Sequence, residues 1–120
     1  NIVITSGKMN VSQFNDIIKK FFIYKGKSIF ISRKYKQKLI YIDKTNFRDL
    51  ESIVNKSSEI ICCEGAISHV SNVFNRLTIA LVNYQGANTG IFWTKHMSNI
   101  KLIFRENIKK ICSDIKKIKV

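Results

Sequence analysis

A short turn near the middle of the chain carries the residue types best suited to bind a ligand. Glu64, Gly65 and Ala66 directly follow the apolar run 60–63, and His69 stands three residues further on. Where such a turn leads from a buried strand into a helix, the first backbone N–H groups of the helix are unpaired and attract anions. In open α/β sheets, ligands bind beyond the carboxyl ends of the strands. The spacing therefore predicts an anion-binding turn at residues 64–69.

Each of these residues also has an ordinary structural interpretation. A histidine one turn into a helix commonly packs or caps, and Glu64 can simply stabilise the positive end of the helix dipole. One glycine is not a glycine-rich phosphate loop, and the sequence has no Ser-His-Asp order, Cys-His pair, Walker-type loop or metal-ligand cluster. The residues alone thus predict a binding site rather than a catalytic centre.

Four stretches with apolar residues at helical spacing provide the predicted helices around this turn. Their apolar faces are Phe14, Ile17, Ile18, Phe21 and Phe22; Phe47, Leu50, Ile53 and Val54; Ala66, Val70, Val73 and Phe74; and Ile108, Ile111, Cys112, Ile115 and Ile118. Asn46 and Asn107 precede the second and fourth stretches, where a side-chain amide can cap a helix. We therefore expect capped, amphipathic helices.

Short apolar or β-branched runs provide the predicted strands. They occupy residues 1–5, 28–32, 39–42, 60–63, 77–82 and 100–104. The continuous runs 60–63 and 77–82 are typical of strands covered on both faces. The gap at 33–38 is too short for a crossover helix, so runs 28–32 and 39–42 form either a hairpin or a displaced loop. Alternation of strands and helices predicts an α/β fold with a mostly parallel sheet.

Length and composition limit the class of protein. A chain of 120 residues with 45% hydrophobic content is long enough for one core, so we expect a single domain spanning 1–120. No apolar run approaches the about 20 residues that span a bilayer. Three cysteines without disulfide or metal spacing predict buried, reduced thiols, and we expect Trp93 in the core. The chain starts without Met, which suggests a piece of a longer protein.

The formal net charge of +13, from 21 Lys and Arg against 8 Asp and Glu, calls for an acidic partner to be considered. The charge is spread along the chain, and Lys accompanies abundant Ile and Asn, which an AT-rich coding sequence also produces. Nucleic acid is therefore the less favoured partner. An anionic membrane surface stays open, because Lys109, Lys110, Lys116 and Lys117 lie opposite the apolar face of the last predicted helix.

The stretches Y-I-D-K-T-N-F-R-D-L and S-S-E-I-I-C-C-E-G-A-I-S-H-V-S-N-V-F-N-R-L-T-I-A-L-V carry a resemblance to a known family. They are similar to glycosyltransferase family 9, the lipopolysaccharide heptosyltransferases. The resemblance implies the C-terminal half of a GT-B fold, a Rossmann-like three-layer αβα sandwich. Glu64 stands where that family has Asp, Ala66 stands where it has Gly, and His69 matches.

The resemblance implies a donor-binding role for seven positions. A nucleotide-sugar donor would be held by Lys8, Glu64, Gly65, Ala66, His69, Asn83 and Gln85. Its diphosphate would meet Lys8 and backbone N–H groups of the turn, while Glu64 would meet sugar hydroxyls because a carboxylate repels phosphate. No cofactor or metal is expected, since the nucleotide-diphosphate sugar is the substrate.

The family's catalytic base and acceptor site lie on an N-terminal domain that this chain lacks, so no catalytic residue is assigned and the chain alone is expected to be inactive. The function implied is donor binding within a bacterial glycosyltransferase that makes lipopolysaccharide, lipooligosaccharide or another surface glycan. Its acceptor would be a glycolipid or polysaccharide. The enzyme would be located in the cytoplasm or at the inner face of the cytoplasmic membrane. Two alternatives stay open: a basic α/β module that binds nucleic acid or another anionic partner, and a degenerate, non-catalytic scaffold.

Overall fold

The structure is a computed structural model that describes residues 1–6, 12–32, 37–63, 65–83 and 93–118. Its contacts divide the chain into two compact units, Asn1–Asp49 and Leu50–Val120. The expectation of a single domain came from chain length, and it stays a prediction. The fold class is mixed α/β, as the alternation of strands and helices indicated.

The first unit contains a four-stranded mixed sheet. Its strands are β1 (Ile2–Thr5), β2 (Ile23–Gly26), β3 (Ile29–Ser32) and β4 (Leu39–Ile42), arranged in the order β1-β4-β3-β2. β1 runs parallel to β4, whereas β3 is antiparallel to both β2 and β4. The expected mostly parallel arrangement is therefore wrong for this sheet. The hairpin alternative for β3 and β4 is confirmed, since Ile29 pairs with Ile42 and Ser32 with Leu39.

Strand β2 was not predicted from the sequence. It joins β3 through a tight turn in which Lys27 and Ser28 have φ values of 48° and 61°. Positive φ at both central residues suits the right-handed twist of a two-residue hairpin. Ile23 and Tyr24 are 64% and 60% exposed, so the strand lacks the alternating pattern of buried apolar and exposed polar residues that predicts a strand. Its assignment depends on pairing with β3, a contact that periodicity alone does not reveal.

Helix α1 (Ser12–Phe21) and the sheet of the first unit meet around one aromatic side chain. Tyr41 is 4% exposed, and the Phe14 ring approaches it edge-on with 5.0 Å between ring centroids. The rings of Phe22 and Phe30 lie 6.4 and 5.6 Å from it. Edge-on and tilted contacts at these distances are favourable beyond the area they bury. The predicted apolar stripe of α1 is confirmed in part, because Ile18 is buried and Phe14, Phe21 and Phe22 are partly buried, whereas Ile17 is 48% exposed.

The second unit contains a three-stranded parallel sheet. Its strands are β5 (Glu59–Cys63), β6 (Leu77–Val82) and β7 (Ile100–Phe104), in the order β5-β6-β7. The second unit also contains α3 (Ala66–Val73), α4 (Ile108–Ile118) and most of α2 (Phe47–Lys56), whose first three residues belong to the first unit. Parallel neighbours need crossover connections, and α3 supplies the one between β5 and β6. Here the predicted strands, helices and parallel pairing are confirmed.

One side of this sheet packs into a core with α2 and α3. The cluster consists of Val54, Ile60, Cys62, Val70 and Ala80, with Leu50, Ile67, Phe74, Ile100 and Leu102 packed against it. Because side chains alternate along a strand, the neighbouring residues of β6 and β7 point to the other face. There, Ile79 is 0% and Ile103 is 5% exposed.

Coverage of the second face does not extend to β5. Ile61 is 49% exposed and Cys63 is also exposed, so the expectation that run 60–63 is covered on both faces is wrong. In α3, Val73 is 78% exposed and Ala66 is exposed, although helical spacing placed both on the buried face. Run 77–82 matches its prediction better, since four of its six residues are buried.

Both predicted asparagine caps are confirmed. The backbone N–H of Asp49 donates to Asn46 Oδ1 at 2.9 Å, and that of Lys110 donates to Asn107 Oδ1 at 3.0 Å. Each bond satisfies an N–H group that a helix N-terminus leaves unpaired. Within the parts of the chain that the structure describes, no helix is long and apolar enough to cross a bilayer.

Candidate functional site

The carboxyl ends of the three parallel strands lie along one edge of the second sheet. Cys63 at the end of β5 pairs with Leu81 of β6, and Val82 of β6 pairs with Phe104 of β7. The residues that follow the strands therefore leave from the same edge. We call this the open edge, defined by Gly65, Ala66, His69, Asn83 and Arg105; it is where open α/β sheets bind ligands.

Gly65 sets the start of α3 at the open edge. Its φ of 142° lies in a region that L side chains rarely adopt, so the position favours glycine. Its carbonyl accepts from the Ser68 backbone N–H at 3.1 Å and from Ser68 Oγ at 2.6 Å. Among the described residues, no side-chain bond caps the helix here, and a Cβ placed on Gly65 would meet no atom within 4 Å. Within that part of the chain, the first backbone N–H groups of α3 have no side-chain partner at Gly65.

His69 lies one turn into α3 and is exposed, between the buried residues Ser68 and Val70. Its ring meets that of His96, with 5.9 Å between ring centroids and 26° between ring planes. His96 is also exposed and lies in a turn before β7 that a 2.9 Å bond from the Met97 N–H to the Thr94 carbonyl closes. Sequence reasoning assigned no role to His96, because 26 residues separate the two histidines in the chain.

Asn83 and Arg105 complete the described part of the open edge. Both are exposed, and the Arg105 backbone N–H donates to the Val82 carbonyl at 2.8 Å, which fixes the chain as it leaves β7. Arg105 was missed by sequence reasoning. Its position directly after a predicted strand was the available signal, and its guanidinium is a permanent cation with several donors.

Three of the predicted donor-binding residues fall outside the described part of the chain. These are Lys8, Glu64 and Gln85. The donor-binding roles of all seven residues stay predictions, and the structure places only the positions of Gly65, Ala66, His69 and Asn83, on the second unit. The two parallel sheet registers bring these four to one edge, as the turn-and-strand pattern indicated.

Two further expectations need correction. Trp93 is 66% exposed rather than buried in the core. Of the three cysteines, only Cys62 is buried, and burial raises the pKa of its thiol to about 11. Cys63 and Cys112 are exposed, although the sequence pattern assigned their faces of β5 and α4 to the interior.

The first unit has a parallel edge of its own, and it is occupied by a hydrogen-bonded network. Tyr41 Oη donates to Asp43 Oδ1 at 2.8 Å, and Ser6 Oγ donates to the same oxygen at 3.0 Å. Ser6 Oγ in turn accepts from the Lys44 backbone N–H at 3.3 Å. We call this set Ser6, Tyr41, Asp43 and Lys44 the closed edge, since it joins the carboxyl ends of β1 and β4.

The network shifts two pKa values in opposite directions. The hydrogen bond from Tyr41 is the main cause that lowers the pKa of Asp43, because it stabilises the carboxylate. Burial is the main cause that raises the pKa of Tyr41. Asp43 is therefore ionised and Tyr41 protonated at neutral pH, so the phenol can donate its hydrogen bond to the carboxylate.

A second hydroxyl network joins α3 to β6 near the amino end of that strand. Ser71 of α3 and Thr78 of β6 are 0% and 2% exposed, and their hydroxyl oxygens lie 2.5 Å apart. The Thr78 hydroxyl also lies 3.1 Å from the Arg76 carbonyl, to which it donates. These bonds satisfy buried polar groups and fix the helix on the sheet. These polar contacts lie inside the second unit, whereas His69 and Asn83 at the open edge are exposed.

The open edge thus offers a helix start, an exposed imidazole pair, an amide and a guanidinium, which together can bind an anion or a polar ligand. Among the described residues, no group of three or more His, Cys, Asp and Glu side chains could hold a metal ion. Comparisons of the chain with protein-family models, curated proteins and solved structures gave no match. The functional assignment therefore depends on the chemistry of the open edge itself.

Proposed function

We propose that this chain is the nucleotide-sugar donor-binding domain of a bacterial glycosyltransferase, with a Rossmann-like fold corresponding to the C-terminal half of a GT-B enzyme. The observation that carries the proposal is the open edge, where α3 begins at Gly65 directly beyond a parallel strand. Its φ of 142° favours glycine, and no described atom outside its chain neighbours lies within 4 Å of a Cβ placed there, which supports the approach of a ligand to the backbone. That combination is typical of diphosphate sites in α/β sheets.

The charges at the open edge favour a diphosphate over a neutral ligand. Arg105 leaves the sheet beside Asn83, since β6 and β7 end at paired residues. A guanidinium binds phosphate oxygens through paired N–H groups, while the α3 N-terminus contributes a partial positive charge. His69 adds a ring N–H donor one turn into the helix. Glu64 would contact sugar hydroxyls, and Lys8 and Gln85 keep their predicted contacts with the donor.

The proposed part in catalysis is electrostatic. An acceptor hydroxyl, of a glycolipid or polysaccharide held by an N-terminal domain, would attack the sugar with inversion. The helix start and the cations would stabilise the departing diphosphate, and this step requires no metal. The proposed setting is the cytoplasm or the inner face of the cytoplasmic membrane, where a lipopolysaccharide, lipooligosaccharide or related surface glycan is built.

Thermal-shift titration of the full chain with several nucleoside diphosphates tests the proposal. We expect at least one of them to raise the melting temperature, because a ligand that binds only the folded state stabilises it. His69→Ala and Ala66→Val should reduce that shift without unfolding the protein. Val73→Ala is the matched control, since Val73 is 78% exposed at the far end of the same helix, about 10 Å along its axis. Equal shifts in melting temperature in all variants would contradict the assignment of the open edge as the donor-binding site.

The alternative of a basic binding module predicts a different dependence on salt. The net charge of +13 and the exposed lysines of α4 favour oligonucleotide binding that weakens steeply as salt rises. Weak binding that is insensitive to salt would exclude nucleic acid. A degenerate scaffold, suggested by Ala66 and Glu64 in place of the family's Gly and Asp, would show neither nucleotide nor oligonucleotide binding.

A further inference from the structure

The chain contains two histidines, and the fold brings both of them together. His69 lies on α3 and His96 lies in the turn before β7, yet their ring centroids are 5.9 Å apart. Both side chains are exposed. Contact between two exposed rings contributes little to stability, so packing alone gives no reason for the pairing.

We propose that His69 and His96 form a two-histidine site for a first-row transition-metal ion that prefers nitrogen ligands, such as Zn²⁺ or Ni²⁺. Imidazole suits these metals, and binding uses one ring nitrogen from each histidine. The remaining coordination positions belong to water or to an added ligand. The proposal does not depend on donor binding, because metal binding can be measured without any nucleotide.

The separation of the rings fits a shared metal ion. A ring nitrogen lies about 1.1 Å from the imidazole centroid, and a Zn–N bond is about 2.0–2.1 Å long. Two rings on one ion therefore have centroids about 5.2 Å apart at a tetrahedral angle and about 6.4 Å apart at a linear one. The observed 5.9 Å lies within this range. Exposed imidazoles can rotate about the Cβ–Cγ bond to turn their nitrogens toward the ion.

The backbone on both sides of the pair is fixed, which reduces the entropy lost on binding. Ser68 and Val70, which flank His69, are 3% and 8% exposed. Met97, which follows His96, is 7% exposed and its N–H closes the turn onto the Thr94 carbonyl. The second imidazole therefore binds a captured ion at a high effective concentration, and chelation should increase affinity by about 10²-fold or more over one histidine.

Isothermal titration of the tag-free full chain with Ni²⁺ at about pH 7.5 tests the proposal, because imidazole ligands must be deprotonated to bind. The titration uses a Cys63→Ser, Cys112→Ser background, since both thiols are exposed and could bind metal themselves. We expect one ion per chain and a loss of affinity of about 10²-fold in both His69→Gln and His96→Gln. Lys95→Gln, beside His96 in the same exposed turn, is the control and should bind as the parent does.

Each other outcome contradicts the two-histidine site. Equal weak binding in the parent and in both single histidine variants would mean that the histidines bind independently. Loss in only one variant would mean that the other ring takes no part. Circular dichroism and thermal melting verify that the Gln variants fold, as is expected for exposed side chains. Failure of metal binding leaves the nucleotide titration unaffected, so the two proposals fail separately.

Discussion

The chain has two parallel sheet edges, and they use their polar residues in opposite ways. At the closed edge, Ser6, Tyr41 and Asp43 bind one another, with three hydrogen bonds or hydroxyl contacts of 2.8–3.0 Å. At the open edge, His69 and Asn83 are exposed, and the buried hydroxyl pair of this unit, Ser71 and Thr78, lies toward the amino end of β6, away from that edge. One edge satisfies its polar groups with the protein, whereas the other presents them to solvent.

This difference indicates which edge can bind a ligand. A polar group already bonded within the protein must break that bond before it binds anything else, and the lost bond offsets most of the gain. The Asp43 carboxylate accepts bonds from Tyr41 and Ser6 through one oxygen. Among the described residues, no side chain caps the start of α3 at Gly65, so a ligand there has no such bond to break. The comparison therefore favours the open edge as the binding site.

The largest expected effect concerns the core of the second unit. Ile79→Ala should lower the free energy of unfolding by about 2–5 kcal/mol, because the side chain is 0% exposed and its loss leaves a cavity. Urea denaturation followed by circular dichroism measures it. Ile61→Ala, at 49% exposure on the neighbouring strand, is the control and should cost about 1 kcal/mol. Similar losses in both would contradict the one-sided coverage of β5.

Gly65→Ala should destabilise the protein through backbone strain alone. A φ of 142° costs about 1–3 kcal/mol for a residue with a Cβ, even though that Cβ would meet nothing within 4 Å. The same urea denaturation measures the change. Ala66→Ser, at the next exposed position, is the control and should stay within about 0.5 kcal/mol of the parent. A neutral Gly65→Ala variant would show that the turn relaxes freely.

Tyr41→Phe should open the closed edge and change its dependence on pH. Loss of the phenol donor should cost about 0.5–1.5 kcal/mol at neutral pH. Because the pKa of Asp43 is lowered below its ordinary 3.8 in the folded protein, its stabilisation is present above that pH and is lost as the pH falls through the folded pKa. The variant should lose less stability than the parent on acidification to about pH 3.

Urea denaturation at a series of pH values tests this expectation, with Tyr24→Phe as the matched control. Tyr24 is 60% exposed and pairs with Phe30 at 5.1 Å between ring centroids, so removal of its hydroxyl should leave both stability and pH dependence unchanged. Parallel pH profiles for the parent and Tyr41→Phe would show that the Tyr41 bond does not hold Asp43 ionised.

The smallest expected effect on stability is at the open edge itself. His69→Ala removes an exposed side chain and should change the free energy of unfolding by less than about 0.5 kcal/mol. It should nevertheless reduce ligand binding. Tyr41→Phe, in contrast, should lower stability and leave ligand binding unchanged. A substantial loss of stability in His69→Ala would show that His69 has a structural role, which would contradict the difference proposed between the two edges.

Local patterns were sufficient for most helices and strands. The stripe from Phe14 to Phe22 predicted α1, and Asn46 and Asn107 predicted the starts of α2 and α4, because capping and helical spacing act within a few residues. The same reasoning placed Gly65, Ala66, His69 and Asn83 at one edge, since β5, α3 and β6 are consecutive in the chain. A parallel pair joined by a short helix is itself a local unit.

Local sequence patterns were therefore sufficient for every described helix and strand except β2, for two helix caps and for the turn at Gly65. Three other features emerged only from the folded chain: the pairing of β2 with β3, the exposure of Ile61 and Trp93, and the contact of His69 with His96. Each depends on which segments lie beside one another in space, and residues far apart in the chain carry no periodic signal of that. Burial and long-range contact arise when elements pack, whereas helix and strand preferences arise within each element.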